Sequence, residues 1–348
     1  MTAKLKTALL GATGYSGAEL MRLLLHHPRL DKPMLLSREK GDDGVADLAS
    51  IFPSFSGNGS YLLQPLSWPA LMQHGVELLF LATPHAASRS LVPEAITRGL
   101  RVIDLSGAWR LKQEQHRAVY DFEDADSVTA AELTEKAVYG LPELNGDQIR
   151  DAALVANPGC YATSVILALA PLLNAGIVDR QHGIISDSKS GVSGAGKEPT
   201  SRTHFVSVAD NLSAYSVFHH RHVGEMVEQL KLDAGQMTFA PHLLPIPRGI
   251  LSTVYVYLNH PMRSAEVESC LRNFYAGKRW VRIFPTPQLP QIQFSLRTNF
   301  CDLGFCLADD LRRLVVVSCV DNLLKGAAGQ AVQNMNLMYG WSEEEGLQ

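Results

Sequence analysis

Thr7-Ala8-Leu9-Leu10-Gly11-Ala12-Thr13-Gly14-Tyr15-Ser16-Gly17-Ala18-Glu19-Leu20-Met21-Arg22-Leu23-Leu24-Leu25 is the stretch that decides the fold. Residues 7–10 read as a short buried strand. A glycine-rich turn follows, and from Ala18 the apolar spacing continues as a helix that stops near His27-Pro28. Strand, turn and helix in this order open a nucleotide-binding unit. Glycine lets the backbone turn sharply and approach a pyrophosphate, and the helix start supplies free N–H groups and a partial positive charge. Gly11, Thr13, Gly14, Tyr15, Ser16 and Gly17 are therefore the candidate cofactor contacts. The spacing is G-x-x-G-x-x-G, not G-x-G-x-x-G, and a tight βα turn without a ligand is the competing reading.

Working outward, Pro33-Met34-Leu35-Leu36 reads as a second strand ending in Ser37-Arg38-Glu39-Lys40. A site that prefers NAD carries an acidic residue here for the ribose 2′-OH. Ser37 and Arg38 instead suit a 2′-phosphate, so NADP is the expected cofactor. Residues 76–83 and 100–105 are further strand-like runs, joined by a helical stretch over 85–99. Their nearly continuous apolar character suits parallel strands covered on both faces. The repeated β-α-β order predicts an α/β, Rossmann-type doubly wound sheet. Residues 153–156 form one more strand, leading into Asn157-Pro158-Gly159-Cys160.

Beyond residue 160 the texture changes. A long apolar helix over about 162–174 is followed by strand-like segments at 183–188, 236–241, 250–258 and 313–320, and by a last helix over 322–338. Long connections between these strands predict an α+β domain with a largely antiparallel sheet. The expected division is residues 1–157 with 322–348 as the cofactor domain, and 158–321 as the catalytic and oligomerisation domain.

Composition limits what this chain can be. It has 348 residues, 46% apolar and 19% charged, with a formal net charge of −4. That is the balance of a soluble globular protein. With no basic run, a nucleic-acid partner is not expected. Five cysteines, none before Cys160, make no disulfide framework and point to a reducing compartment. No run of about 18 apolar residues suggests a membrane span, and no signal-peptide pattern is visible, so a cytoplasmic location is expected.

Cys160 is the sharpest chemical candidate. It falls in the first turn of a predicted helix, where the helix dipole and unbonded N–H groups favour a thiolate and could hold an oxyanion. A buried structural cysteine is the competing reading. A thiolate nucleophile needs a proton partner, and His219-His220-Arg221-His222-Val223-Gly224-Glu225 is the evident cluster. A helix is predicted to begin near His222, leaving His220 just ahead of it. Glu225 could hydrogen-bond a nearby histidine and set its tautomer. Zinc ligation is a weaker reading, since no Cys or Asp stands at ligand spacing nearby, and no metal is expected. Ser190-Gly191-Val192-Ser193-Gly194-Ala195-Gly196-Lys197 is a small-residue loop able to approach a flat or charged ligand, or simply a flexible loop. It is not a phosphate-binding Walker loop, because Glu198 follows Lys197.

Together these segments resemble the N-acetyl-γ-glutamyl-phosphate reductase family, NADPH-dependent enzymes of arginine biosynthesis. The match also includes Ile103-Asp104-Leu105-Ser106, Tyr139-Gly140-Leu141-Pro142-Glu143-Leu144-Asn145, Pro241-His242-Leu243, Arg248-Gly249-Ile250-Leu251 and Asp321-Asn322-Leu323-Leu324-Lys325-Gly326-Ala327-Ala328-Gly329-Gln330-Ala331. The resemblance implies a fold like aspartate-semialdehyde dehydrogenase, with Cys160 as nucleophile and His220 as acid/base. It implies Ser190, Gly191 and Asn322 on the nicotinamide side. Arg110 would receive the substrate phosphate, Arg248 a substrate carboxylate, and Asn157 and Glu225 would stand with them on the substrate side. A homodimer or homotetramer is implied. Trp109, where the family commonly has Phe, and Gly224, where Pro is usual, are departures.

The expected reaction is reduction of N-acetyl-glutamyl 5-phosphate to the semialdehyde through a Cys160 thioester. A sister reductase acting on aspartyl or aminoadipyl phosphate is the alternative, followed by a non-catalytic NADPH-binding regulator. A short-chain dehydrogenase is excluded, since no tyrosine here has lysine four residues on.

Overall fold

The computed structural model describes residues 4–37, 46–57, 59–233 and 235–347. They form two compact units. The first comprises Met1–Lys112, Tyr120–Pro158 and Ala327–Gln348; the second comprises Gln113–Val119 and Gly159–Gly326.

The first unit is built on seven strands: β1 (Thr7–Leu10), β2 (Met34–Ser37), β3 (Leu63–Pro65), β4 (Leu78–Leu81), β5 (Arg101–Asp104), β6 (Val138–Tyr139) and β7 (Leu154–Ala156). Their order is β3-β2-β1-β4-β5-β7-β6, and every pairing is parallel. β1 and β4 are buried at all four positions, as apolar strands covered on both faces must be. The order reverses between β1 and β4, which creates the crevice where an open α/β sheet takes its ligand. The glycine turn follows β1 at that point.

Helix Tyr15–His26 buries Leu20, Met21 and Leu24, three or four residues apart, against this sheet's core. The last helix starts at Ala328, six residues later than the sequence pattern suggests. The reason is Asp321: its carboxylate accepts from the N–H groups of Leu323 and Leu324, which holds the preceding residues in a tight turn.

The second unit carries β8 (Ile184–Gly191), β9 (Ser213–Ala214), β10 (Met237–Leu244), β11 (Ile250–Tyr257), β12 (Val281–Ile283), β13 (Cys301–Leu307) and β14 (Arg313–Val320). The order is β12-β13-β14-β11-β8-β10-β9. Pairs β12–β13 and β8–β10 are parallel, and the other four are antiparallel. The sheet is thus largely antiparallel, as its sequence texture predicts. β10 and β11 alternate buried with more exposed residues, so one face packs inward and the other stays open. Helix Cys160–Asn174 is buried from Tyr161 to Leu173 and lies against β11 and β14 of this sheet. Among the described residues, no helix is long and apolar enough to cross a membrane.

Candidate active site

The glycine turn has the geometry a dinucleotide needs. Gly11 sits at φ +98°, and a side chain there would strike the Ala82 carbonyl at 2.2 Å. A Cβ on Gly17 would lie 2.1 Å from the Gly11 carbonyl oxygen, so only glycine lets the helix pack this closely on the turn. Gly14 differs: a Cβ there would meet only the Gly11 carbonyl, at 3.7 Å, so its outer side is open. Gly14 also caps helix Tyr15–His26 with no side-chain hydrogen bond, leaving the helix start available to a phosphate. These features fit a nicotinamide dinucleotide. Ser37 ends β2, half-buried. Arg38 lies outside the described residues.

Cys160 is the first residue of its helix, N-capped by Gly159, again without a side-chain cap. Three contacts fix it. The Gly159 N–H donates to Glu225 Oε2 at 2.9 Å, and Glu225 is fully buried. A Cβ on Gly159 would fall 2.5 Å from His222 Nε2, so the His222 ring lies directly on this turn. A Cβ on Gly326 would fall 2.7 Å from the Cys160 Cβ, so the cysteine rests against bare backbone. Cys160 itself is half-buried and unbridged.

His220 precedes helix His222–Leu230, as the sequence predicts. Its ring is enclosed edge-on by Tyr161 (5.5 Å), Tyr215 (5.6 Å) and Phe239 (5.3 Å), with His222 at 4.7 Å. Its Nδ1 accepts from the His222 N–H at 3.1 Å, which assigns the ring proton to Nε2. Burial in this aromatic cage, helped by the Arg221 charge, pushes its pKa down to about 4. His220 is therefore neutral at pH 7 and able to accept a proton. Tyr161 and Tyr215 each feel the charge of Cys160 as well as flanking His220, so the two candidates share one neighbourhood. Burial raises both phenols, and Tyr161 donates to the His242 carbonyl at 2.8 Å.

Several sequence candidates have partners within the second unit. Glu225 holds the Gly159 backbone, and its Oε1 stands 3.9 Å from His222 Nε2. Gly191 permits a close approach, but of chain to chain: a Cβ there would meet the Arg248 backbone nitrogen at 2.5 Å. Asn322 spans the same junction, accepting from the Gly249 N–H at 2.7 Å and donating to Ser193 Oγ at 2.9 Å. The Ser190 hydroxyl donates to the Gly191 carbonyl at 3.0 Å. Arg248 Nε donates to the buried Asp321 carboxylate at 2.9 Å.

In the first unit, Arg110 is buried. Its Nε donates to the Asn157 carbonyl at 2.7 Å and its Nη2 to the Leu105 carbonyl at 2.8 Å, tying the ends of β5 and β7 together. The Asn157 amide is buried and engaged at both ends, donating to the Ala327 carbonyl and accepting from Asn334, each at 3.0 Å. Trp109 is buried under the Arg89 guanidinium and donates to Ser88 Oγ at 3.0 Å, so this departure from the family pattern belongs to the core. Tyr161, Tyr215 and Gly326 have no role in the sequence reading. Tyr161 follows the cysteine and could have been suspected; nothing local marks Tyr215. Among the described residues, no group of three or more His, Cys, Asp or Glu side chains could hold a metal ion.

A dinucleotide turn on a Rossmann sheet, and a helix-start cysteine beside a neutral histidine, define a nicotinamide-dependent oxidoreductase of the semialdehyde dehydrogenase class. Family models agree: residues 6–152 match "Semialdehyde dehydrogenase, NAD binding domain" and residues 160–322 match "Semialdehyde dehydrogenase, dimerisation domain". The fold is that of aspartate semialdehyde dehydrogenase II from Vibrio cholerae (TM-score 0.72, 19% identity, 97% of this chain and 99% of that one). It is also that of the Candida albicans enzyme solved with NADP (TM-score 0.71, 14% identity, 97% and 98%).

Within the class, the chain belongs to the N-acetyl-γ-glutamyl-phosphate reductase family. It is 43% identical to the Desulfotalea psychrophila member over 348 residues, covering 99% of this chain and 98% of the relative. It is 42% identical to that of Methanocaldococcus jannaschii over 345 residues, covering 98% and 97%.

Proposed function

We propose that this protein reduces N-acetyl-L-glutamyl 5-phosphate to N-acetyl-L-glutamate 5-semialdehyde with NADPH, releasing phosphate. The observation that carries the chemistry is the shared setting of Cys160 and His220: an uncapped helix start for the sulfur, and a ring kept neutral by burial next to it.

His220, neutral at pH 7, accepts the thiol proton, and the Cys160 thiolate attacks the acyl carbon. The C–O bond to phosphate breaks and a thioester remains on Cys160. The helix start stabilises negative charge on the sulfur and on the carbonyl oxygen during attack. NADPH, when bound at the turn from Gly11 to Gly17, supplies the hydride that reduces the thioester. The tetrahedral oxyanion left by hydride addition re-forms the carbonyl, the C–S bond breaks, and the His220 imidazolium returns its proton to the departing sulfur. Glu225 and Gly326 act as positioning residues for Cys160. Arg110 and Arg248 are proposed as the cations that receive the substrate phosphate and carboxylate; Asn157 holds its turn as a framework residue. Ser190, Gly191 and Asn322 are proposed to shape the nicotinamide side, Gly191 and Asn322 both being tied to Gly249.

NADP is preferred because Ser37, not a carboxylate, ends β2 and a basic residue follows. A homodimer through the open face of the second unit's sheet suits the exposed Ile185, Tyr255 and Tyr257 on β8 and β11. Five unbridged cysteines suit a cytoplasmic enzyme.

The test runs the reaction in reverse. NADP⁺ reduction is followed with N-acetylglutamate semialdehyde, with and without phosphate, beside NAD⁺ and aspartate semialdehyde. Phosphate-dependent turnover, preferring NADP⁺ and the acetylated substrate and lost in Cys160→Ala with cofactor binding kept, is the expected result. Turnover by Cys160→Ala, or preference for aspartate semialdehyde, overturns the reading.

A further inference from the structure

The helix that begins at Cys160 is largely apolar, and Val165, Ile166, Leu167 and Leu169 are all fully buried. Apolar burial is non-directional, so by itself it does little to stop a helix sliding or turning on the sheet beneath it. Directional contacts must set the position of this helix, and with it the position of the sulfur.

Ser164 supplies them. It stands four residues after Cys160, so the two share a face about 6 Å apart along the axis. Its Oγ bonds to Ser318 Oγ on β14 at 2.9 Å and to Ser252 Oγ on β11 at 3.0 Å. Ser252 is the register partner of both Ser318 and Ser188, so β14, β11 and β8 each present a serine on one line beneath the helix. Ser188 bonds to Ser252 at 2.8 Å and to Ser186 at 3.1 Å, and Cys301 Sγ stands 3.5 Å from Ser318 Oγ. All six residues are fully buried. Buried hydroxyls are costly unless bonded, and a satisfied row of them holds one arrangement. Thr163 adds nothing to this row, since its hydroxyl donates within the helix to the Gly159 carbonyl at 3.1 Å.

β14 is also the source of the other contact on the nucleophile. The strand ends at Val320, and the turn after it reaches Gly326, where a Cβ would lie 2.7 Å from the Cys160 Cβ. Ser164 is bonded to the strand, and Cys160 rests on the turn that follows it. A slide of the helix along its axis therefore stretches the Ser164–Ser318 bond and shifts Cys160 against Gly326 together.

We propose that Ser164 is a positioning residue for Cys160, and that the buried serine row fixes the register of the nucleophile's helix on the sheet. This rests on the reading of Cys160 as the nucleophile. Loss of the Ser164 hydroxyl lets the helix shift, moves the sulfur off its base His220, and slows the chemical step without weakening substrate binding.

The experiment compares Ser164→Ala and Tyr275→Phe with wild type in the full chain. Ser164→Ala removes one oxygen and leaves Ser252 bonded to Ser188, so the variant folds. Tyr275 is the control for a hydrogen bond lost from the same helix. Its hydroxyl donates at 2.6 Å to the Leu167 carbonyl, the group that Pro171 cannot bond for want of an N–H. The measurements are kcat and KM in the semialdehyde assay, the rate at which iodoacetamide alkylates Cys160, and the urea midpoint. Ser164→Ala should lower kcat and the alkylation rate about tenfold each with KM unchanged, since a displacement of 1 Å costs on the order of 10²-fold and this one is smaller. Tyr275→Phe should lower the urea midpoint and leave both rates as in wild type. Wild-type rates in Ser164→Ala, a raised KM with kcat unchanged, or equal slowing by Tyr275→Phe would each overturn the proposal. Alkylation needs no substrate, so the two readings fail separately. A wild type inert toward N-acetylglutamate semialdehyde, with alkylation slowed by Ser164→Ala, refutes the reductase reading alone. An active wild type with Ser164→Ala unchanged refutes the positioning role alone.

Discussion

Replacing Glu225 by Ala removes the acceptor that holds the turn before Cys160. Glu225 is fully buried, and its Oε2 takes the Gly159 N–H at 2.9 Å. The substitution leaves a buried backbone N–H unsatisfied and breaks a charge-assisted bond, a loss of about 3 kcal/mol. The freed turn cannot relax toward His222, whose Nε2 would lie 2.5 Å from a Cβ on Gly159, so it moves the other way and carries Cys160 with it. A displacement of about 1 Å at a reacting atom costs on the order of 10²-fold in rate. Two measurements check this: kcat in the semialdehyde assay, and the rate at which iodoacetamide alkylates Cys160 in the folded enzyme. Both should fall by about that factor. Glu225→Gln keeps an oxygen for Gly159 but not the charge, so it should lose roughly half the bond strength and about tenfold in rate. A folded Glu225→Ala protein with wild-type alkylation and wild-type kcat would refute the claim that this carboxylate positions the nucleophile.

Two further outcomes follow from the same site. Gly326→Ala introduces a Cβ 2.6 Å from the Asn322 carbonyl oxygen and 2.7 Å from the Cys160 Cβ. Chemical denaturation should show a loss of about 1–3 kcal/mol, with slower Cys160 alkylation; normal values of both would mean the contact is slack. His220 has its pKa lowered to about 4 in the fold, against about 6.5 for a free imidazole. Between these values the unfolded chain binds the proton and the folded one does not, so stability falls as pH drops from about 6.5 to 4. The total is about 3 kcal/mol. Urea unfolding of wild type and His220→Gln at pH 7 and pH 4 should show the variant losing that much less; equal losses would mean the ring is not buried neutral. His27, also lowered by burial, adds to the wild-type slope in both proteins and cancels from the comparison.

How far the sequence could be read depended on how local the signal was. β13 went unread because Asp302 and Gly304 interrupt its apolar run. The structure pairs Asp302 with Arg282 at 2.6 Å and needs Gly304 where Pro290 Cδ would stand 2.7 Å from a Cβ. β3, β6 and β12 are two or three residues long, too short for any alternation to show. Gly191 was legible as a point of close approach, but what approaches it, the Arg248 backbone, comes from a strand connection more than fifty residues away.

By itself the sequence determined the glycine turn after β1, the parallel sheet around it, and the helix-start cysteine. Each rests on neighbours in the chain: glycines where backbone must bend, apolar runs where both faces are covered, a Pro-Gly pair ahead of the helix. Only the tertiary structure decided which histidine of the cluster stands in the aromatic cage that keeps it neutral. Phe239 on β10 and Tyr215 beyond β9 close around the ring of His220, while His222 packs on Gly159. Burial sets that proton affinity, and burial is the work of residues far apart in the chain.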